Sequence, residues 1–415
     1  MFALRLIRRC LPAYALATSL SFADAIPVVA HFDPIEVDAG LSLSQTIELT
    51  LEQYPDNAWL KALEEESAAL GQRGDSWLAG APSIGLFFQE ATSGTLHYGD
   101  ASITAPLWNF GQRDAEQAVA KQAESSARMQ SAAVKLRVAG LVRAALWDME
   151  LQQIRYDQAQ AQVNLSEQLL AKVERRVELG DLPRADLLLA QTELLQQRSR
   201  LTQAEAEVMH ARKRYASITQ MTKVPGNYRE TLADVTEVQQ NHPALAAVNS
   251  QIARKQAEVT AIKAVGSGQS DVSVGINTDH GDERSNKTES FNIAVSVPFG
   301  GSAHLAPQIA AANVALNKLI AEREQLIRDL ERAHHEAEHN LEVNRAELAI
   351  AEQLKQAAEE HLKMTELSFS LGEINLIDLL KIQSRTQQAL LNAKERSVIL
   401  ERDKALYNQA VGVTP

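Results

Sequence analysis

One stretch of the chain carries closely spaced histidines that could bind a metal ion. His334, His335 and His339 lie beside Glu336 and Glu338, and Zn²⁺ accepts both imidazole and carboxylate ligands. His335 and His339 are four residues apart, so on a helix they would share one face. However, His334 continues a seven-residue apolar pattern and the other side chains fall on a polar surface. We therefore predict ordinary helix positions, with a site at His335 and His339 as the alternative.

Two aspartates, Asp186 and Asp378, occupy equivalent positions after two similar turns. An aspartate near a helix start commonly accepts hydrogen bonds from free backbone amides. No enzyme signature accompanies them: the sequence has no Gly-rich phosphate loop, HExxH motif, nucleophile elbow or cysteine pair. We predict a protein that is not an enzyme and holds no cofactor.

Composition favours long packed helices. The 415 residues carry 41 Lys and Arg against 53 Asp and Glu, a net charge of -12, which argues against nucleic-acid binding. Hydrophobic residues make up 45% and aromatic residues only 5%. Long stretches of Ala, Glu, Gln, Leu, Lys and Arg are typical of coiled coils rather than of compact enzymes.

The first 25 residues read as a cleaved export signal. Three arginines precede an apolar run that ends in small residues: Arg5, Arg8 and Arg9, then 10–22, then Ala23–Ala25. The run of roughly 13 residues is too short to span a bilayer, which needs about 20. Cys10, the single cysteine, falls inside this segment and lacks the small preceding residues of a lipidation site, so we expect a mature chain without thiol or lipid.

An internal repeat divides the mature chain into 26–240 and 241–415. Tyr54-Pro55 matches His242-Pro243, and each pair precedes a helical stretch, a glycine-containing break and two strands. We place the strands at about 83–107 and about 271–298. In the second pair, apolar and polar residues alternate, with Asp271, Ser273, Asn277 and Asn292 on the polar side.

Each strand pair leads into a very long helix. Pro106 and Pro298 are expected to end the return strands, because proline cannot donate to a β-ladder. The stretches at about 112–178 and about 302–370 each predict a helix of nearly 70 residues, on the order of 100 Å long. Matched turns then follow at Gly180 and Gly372, natural helix terminators. The sequence predicts two antiparallel helical hairpins, each preceded in the chain by a β-hairpin.

This duplicated layout resembles the TolC family of outer-membrane efflux proteins, from about Leu41 to Val413. The marks are the repeated helix, strand pair, proline-terminated entry to a long helix, and Leu-Gly-x-x-x-x-x-Asp turn, at 179–186 and 371–378. The resemblance implies a homotrimer whose subunits each give four strands to one 12-stranded barrel in outer-membrane lipid. It also implies a long periplasmic α-helical barrel. Physical chemistry supports closure, since a lipid-exposed sheet edge is prohibitively costly.

The family implies a passive exit duct in a tripartite efflux system. Its partners would be a periplasmic adaptor, or membrane fusion protein, and an inner-membrane transporter of the resistance-nodulation-division (RND) class. We expect the barrel lumen to be lined by the polar strand residues Asp271, Ser273, Asn277 and Asn292.

The two turns would form the periplasmic tip of the duct. There the resemblance places a gate at Gly180, Asp186, Gly372 and Asp378, with helix capping as the alternative role for the aspartates. Lys381 departs from the pattern, because some relatives carry a second acid there.

Four apolar tip residues would contact the adaptor: Leu182, Pro183, Ile374 and Leu376. Packing of the turn within the subunit is the alternative.

The segments 295–304 and 407–413 resemble subunits of heavy-metal exporters, which predicts metal cations as the exported substrate. Drug channels and type I secretion channels share the architecture and remain alternatives. A periplasmic adaptor is disfavoured because no β-rich half flanks a single hairpin. An exported coiled-coil scaffold is disfavoured because of the two amphipathic strand pairs.

Overall fold

The structure is a computed structural model that describes residues 35–282, 284 and 287–415. The predicted signal peptide at 1–25 lies outside the described residues. The helices are α1 Leu43–Gln53, α2 Asp56–Asp75, α3 Gln112–Glu178, α4 Arg184–Thr219, α5 Pro243–Val265, α6 Ser302–Ser370 and α7 Leu376–Ala410. The strands are β1 Glu36–Ser42, β2 Ser83–Glu90, β3 His97–Leu107, β4 Lys223–Asn227, β5 Ser270–His280 and β6 Thr288–Ser296.

Two rods dominate the molecule. Helix α3 has 67 residues and α6 has 69, so each is on the order of 100 Å long. Two shorter helices pack along each rod: α2 and α4 along α3, and α5 and α7 along α6. Contacts of α3 with α5 and with α7 join the two halves side by side. No helix in the described part of the chain is both long and apolar enough to cross a bilayer.

The two β-hairpins join into one antiparallel sheet of order β2-β3-β5-β6. Strands β3 and β5, one from each repeat, pair along their whole length from His97↔His280 to Leu107↔Ser270. The strand ends differ slightly from the expectation. Pro106 is the penultimate residue of β3, beyond the last β2 partner at Thr104, and Pro298 lies two residues after the end of β6. Neither proline therefore interrupts a ladder on both sides.

A small parallel pair, β1 with β4, lies beside the middle of the rods. It covers a cluster of buried residues that includes Ile47, Val138, Leu146 and Tyr215. The Tyr215 hydroxyl donates to the Lys223 carbonyl over 2.7 Å, and burial raises the pKa of Tyr215 to about 12. This cluster binds the N-terminal strand and α1 to the first rod.

A buried arginine joins both halves at the same level. The Arg143 guanidinium, whose side chain is 0% exposed, donates to both carboxylate oxygens of Glu230 over 2.8 and 2.6 Å. It also donates to Gln409 and to the Val413 carbonyl near the C-terminus. Asn408 completes the network with a 3.2 Å bond to Glu230. Helix α3, the segment that follows β4 and the end of α7 are thus all held together by Arg143.

We predict that Glu230→Ala destabilises the protein by about 3–5 kcal/mol, because it leaves the Arg143 charge buried without its partner. Urea denaturation followed by circular dichroism measures the change. The control is Glu178→Ala, which breaks an ion pair with Arg175 whose side chains are 70% and 66% exposed. That change is expected to alter stability by about 1 kcal/mol or less. Equal effects of the two substitutions would contradict the role of the buried pair.

Candidate functional site

The four-stranded sheet has one polar face. Directly opposed residues of antiparallel strands share a face, and the register Gly275↔Asn292 puts Asn292 on the side of Asp271, Ser273 and Asn277. The structure therefore brings together the four side chains that were predicted to line a lumen. All four are half-buried rather than fully exposed.

Hydrogen bonds cross the strands on this face. Thr104 and Ser273 are linked hydroxyl to hydroxyl over 3.1 Å, and the Asn292 amide donates to the Asp100 carboxylate over 3.1 Å. The bond from Asn292 to Asp100 crosses β5 diagonally. Gly275, the partner of Asn292, leaves room for it, because a Cβ atom there would lie 2.8 Å from the Asn292 side-chain oxygen. A polar ladder therefore runs from the first repeat to the second.

The opposite face is apolar and open. Its exposed side chains come from all four strands: Ile84, Leu86, Phe88, Ile103, Val274, Ile276, Phe291, Ile293 and Val295. Leu86 is 80% exposed and Val295 65%. A contiguous apolar surface of this kind marks contact with a partner or a membrane rather than with water.

Both sides of the sheet end in unpaired strands. Strands β2 and β6 each have a neighbour on one side only within the described residues. Their outer backbone groups are thus free to pair with another chain.

One feature of the polar face was not foreseen from the sequence. Phe87 lies opposite Asp100 on that face, and its ring packs edge-on against Tyr98 with centroids 6.0 Å apart. The sequence does not show which face Phe87 occupies, because Leu86, Phe87 and Phe88 are all apolar. Only the pairing with β3 shows which of them faces the polar side.

The two tip turns are copies of each other in three dimensions. Gly180 and Gly372 have φ of 82° and 78°. Each turn closes with the same backbone bonds: Gly180 to Val177 and Asp181 to Arg176, and Gly372 to Phe369 and Glu373 to Ser368. This is the Schellman arrangement, in which glycine adopts the left-handed backbone without strain from a Cβ atom.

The predicted gate aspartates lie in the first turns of α4 and α7. Neither carboxylate is the helix cap, since Asn375 caps α7 by accepting from the Asp378 amide and Pro183 precedes α4. Lys381 is 3.3 Å from Asp378, with both side chains exposed. Asp186 and Asp378 therefore remain available for contacts outside the subunit.

An arginine that the sequence did not single out ties the two hairpins together at the tip. Arg176 at the end of α3 donates to the Phe369 carbonyl at the end of α6 over 3.2 Å. Its guanidinium also lies over the Phe369 ring, 5.1 Å from the centroid. This contact joins the ends of the two rods within one subunit.

The predicted adaptor residues differ in exposure. Leu376 is 1% exposed and packs in a tip cluster with Phe369. Leu182 and Ile374 are half-buried against the same cluster, and Pro183 is exposed. The exposed apolar residues of the turns are instead their symmetric leucines, Leu179 at 61% and Leu371 at 66%. Glycine spacing locates the turns, but it does not tell which leucine faces inward.

The histidine stretch lies on the middle of α6. His335 and His339 are exposed, whereas His334 is half-buried and lies 3.4 Å from the Tyr407 hydroxyl. Within the described residues no group of three or more metal-ligating side chains is assembled.

The sequence matches no family model and no curated protein. Solved structures, however, match almost the whole chain. CusC, from crystal structures of its folding and transmembrane channel formation, is 13% identical over 90% of this chain and 92% of its own, with a TM-score of 0.71. The outer-membrane channel OprN is 16% identical over 90% of each chain, also at 0.71. The open MtrE outer membrane channel of Neisseria gonorrhoeae is 14% identical over 92% of this chain and 90% of its own, at 0.67.

At these identities the likeness is one of fold. The chain has a TolC-like fold, mostly α with a small β part. The predicted fold class is confirmed.

Proposed function

We propose that this protein is a subunit of an outer-membrane efflux channel, a passive exit duct for substrates delivered by an inner-membrane pump. The observation that carries the proposal is the sheet with one polar face, one exposed apolar face and two unpaired edges. In a bilayer such a sheet satisfies its edge backbone groups only by closing into a barrel. The similar structures are themselves described as membrane channels.

Closure requires further copies of the chain. Four strands are fewer than the eight that form the smallest outer-membrane barrels, so strand β6 of one copy must pair with β2 of another. A homotrimer gives a barrel of 12 strands, with the apolar face toward lipid and Asp271, Ser273, Asn277 and Asn292 toward the lumen. The rods then continue the lumen into the periplasm as an α-helical barrel.

The periplasmic tip is the natural place for a gate. Three copies of the turns at Gly180 and Gly372 would converge there, bringing six aspartates, Asp186 and Asp378 from each chain, around one opening. Lys381 offsets part of this negative charge through its contact with Asp378. Arg176 would hold the two hairpins of each subunit together while the tip is closed.

The tip would also receive the periplasmic adaptor of a tripartite system driven by an RND transporter. The exposed leucines Leu179 and Leu371, with Pro183, form the apolar part of this contact. The turn itself is stabilised by three residues that pack in the tip cluster: Leu182, Ile374 and Leu376. The buried position of Leu376 favours this division of roles.

Heavy-metal cations are the proposed substrate, because the segments 295–304 and 407–413 resemble subunits of metal exporters. The polar face carries Asp100 and Asp271, which suit the passage of cations. An organic-compound channel or a type I secretion channel of the same fold is the alternative.

We predict that neighbouring residues of β5 differ in access to water. Because Cys10 lies in the predicted signal peptide, Ile276→Cys and Asn277→Cys would each place a single thiol in the mature chain. In intact outer membranes, a charged maleimide should label Asn277→Cys and leave Ile276→Cys unlabelled, since only position 277 faces the lumen. Both thiols should react after denaturation. Equal labelling in membranes, or labelling of position 276 alone, would refute the barrel.

The gate predicts that Asp378→Ala raises the leak conductance of the channel in a planar bilayer, because contacts across the tip are lost. Single-channel recording of the purified trimer measures it. The control is Glu373→Gln, which removes a neighbouring exposed charge of the same turn and should leave the closed conductance unchanged. A leak in Asp378→Ala no larger than that of the unaltered channel would exclude the aspartate from the gate.

The docking surface predicts different crosslinking at two leucines of one turn. A photoreactive amino acid at Leu371, which is 66% exposed, should capture a periplasmic adaptor, whereas one at Leu376, which is 1% exposed, should not. Mass spectrometry of the crosslinked species identifies the partner. Failure of position 371 to capture any adaptor would favour a tip that only packs within its own subunit.

The substrate proposal predicts that a deletion strain becomes sensitive to metal cations, with complementation restoring growth. Growth on cobalt, zinc, cadmium, copper, silver and a drug panel measures the pattern. Sensitivity to drugs alone would keep the channel and reject metal export.

A further inference from the structure

The apolar face of the sheet is not flat. It contains a cavity of about 740 Å³ whose lining comes from all four strands. Gly99 and Ala101 of β3 form the floor. In the register of the sheet, both residues belong to the face that carries Leu86, Phe88 and Ile276.

Bulky side chains stand on both sides of this floor. Phe88 is paired with Gly99 and Leu86 with Ala101 on one side, while Ile276 is paired with Ala101 on the other. Phe291 extends the second wall from β6. Neighbouring strands are about 4.8 Å apart, so two walls separated by one strand of small residues leave a groove about one hydrocarbon chain wide.

The groove changes from apolar to polar along its length. Toward the hairpin ends, the next position of β3 on the same face is His97, which stacks on His280 with ring centroids 5.0 Å apart. Glu90 lies 3.7 Å from His97. Lys287, which lines the cavity, forms a 2.7 Å ion pair with Glu289. A hydrocarbon groove thus ends in a row of ionisable groups.

Closing the barrel would not cover this groove. Its floor belongs to β3, an inner strand of the sheet, whereas another copy of the chain would pair with the outer strands. The groove would therefore remain open to the medium that surrounds the barrel.

We propose that the groove is a lipid-binding site that holds one acyl chain over Gly99 and Ala101, with the lipid headgroup among His97, His280 and Lys287. This inference rests on the proposed function, since it requires the apolar face to lie in a bilayer. Lipid tails are as apolar as the groove, so selectivity comes from packing and from the polar end rather than from the hydrophobic effect.

The test is to fill the groove and count the lipids that remain on the protein. The trimer is reconstituted in nanodiscs of palmitoyl-oleoyl phosphatidylethanolamine and phosphatidylglycerol, released into the gas phase and weighed by native mass spectrometry. The unaltered chain should retain one phospholipid per subunit. Ala101→Leu should lower that number toward none, and Gly99→Val, which fills the same floor, should do likewise.

The matched control is Ala105→Leu. Ala105 lies on the same strand and the same face, paired with Val272, but it does not line the cavity. It should retain as much lipid as the unaltered chain. Equal retention of phospholipid by Ala101→Leu and Ala105→Leu in correctly assembled trimers would overturn the site.

Failure of the barrel itself would look different. In that case the unaltered chain would neither enter nanodiscs nor form a trimer, and the labelling contrast between positions 276 and 277 would be lost. A trimer that inserts and shows the labelling contrast, but retains no phospholipid, rejects the lipid site and leaves the channel in place.

Discussion

The backbone hydrogen bonds at the two edges of the sheet are the constraint on which the rest of the structure depends. Among the residues that the structure describes, the outer edges of β2 and β6 carry a row of unpaired donors and acceptors, and an apolar face lies between them. Water could satisfy the edges but not the face, and lipid could cover the face but not the edges. In the proposed channel, a closed barrel of several copies meets both demands together, and the long helices carry its lumen away from the membrane.

Duplication explains how one chain meets this demand. Each repeat supplies a hairpin, a rod and a return helix, and the repeats join through the β3–β5 pair at one end and through Arg176 and Phe369 at the other. Between these ends, Arg143 gathers Glu230, Gln409 and the C-terminal backbone. Gln409 and the Val413 carbonyl are the partners from the second half, and a buried charge that loses hydrogen-bond partners is costly. A different alignment of the two halves would therefore be disfavoured.

The tip shows how a symmetric sequence can serve two purposes. The two matching turns place Leu179 and Leu371 on the surface, while Leu182 and Leu376 pack in the tip cluster. Within the described part of the chain, the one side-chain partner of these aspartates is Lys381, which contacts Asp378. In the proposed channel, the exposed leucines would serve the partner protein and the neighbouring aspartates would serve the opening.

The sequence by itself determined the order of the β-hairpins and long helices, the repeat and the glycine turns, because these depend on local periodicity and on residues with few allowed backbone angles. It did not indicate the parallel pair of β1 and β4. The polar side of β5 was also predictable, because polar and apolar residues alternate there. Only the tertiary structure decided that Phe87 faces the polar side, that Leu376 is buried while Leu371 is exposed, and that Arg143 and Arg176 join the repeats. These facts depend on contacts between residues far apart in the chain, and single-chain periodicity does not encode which partner a side chain meets. The groove over Gly99 and Ala101 is of the same kind, since small residues form a floor only when the register of neighbouring strands places large ones beside them.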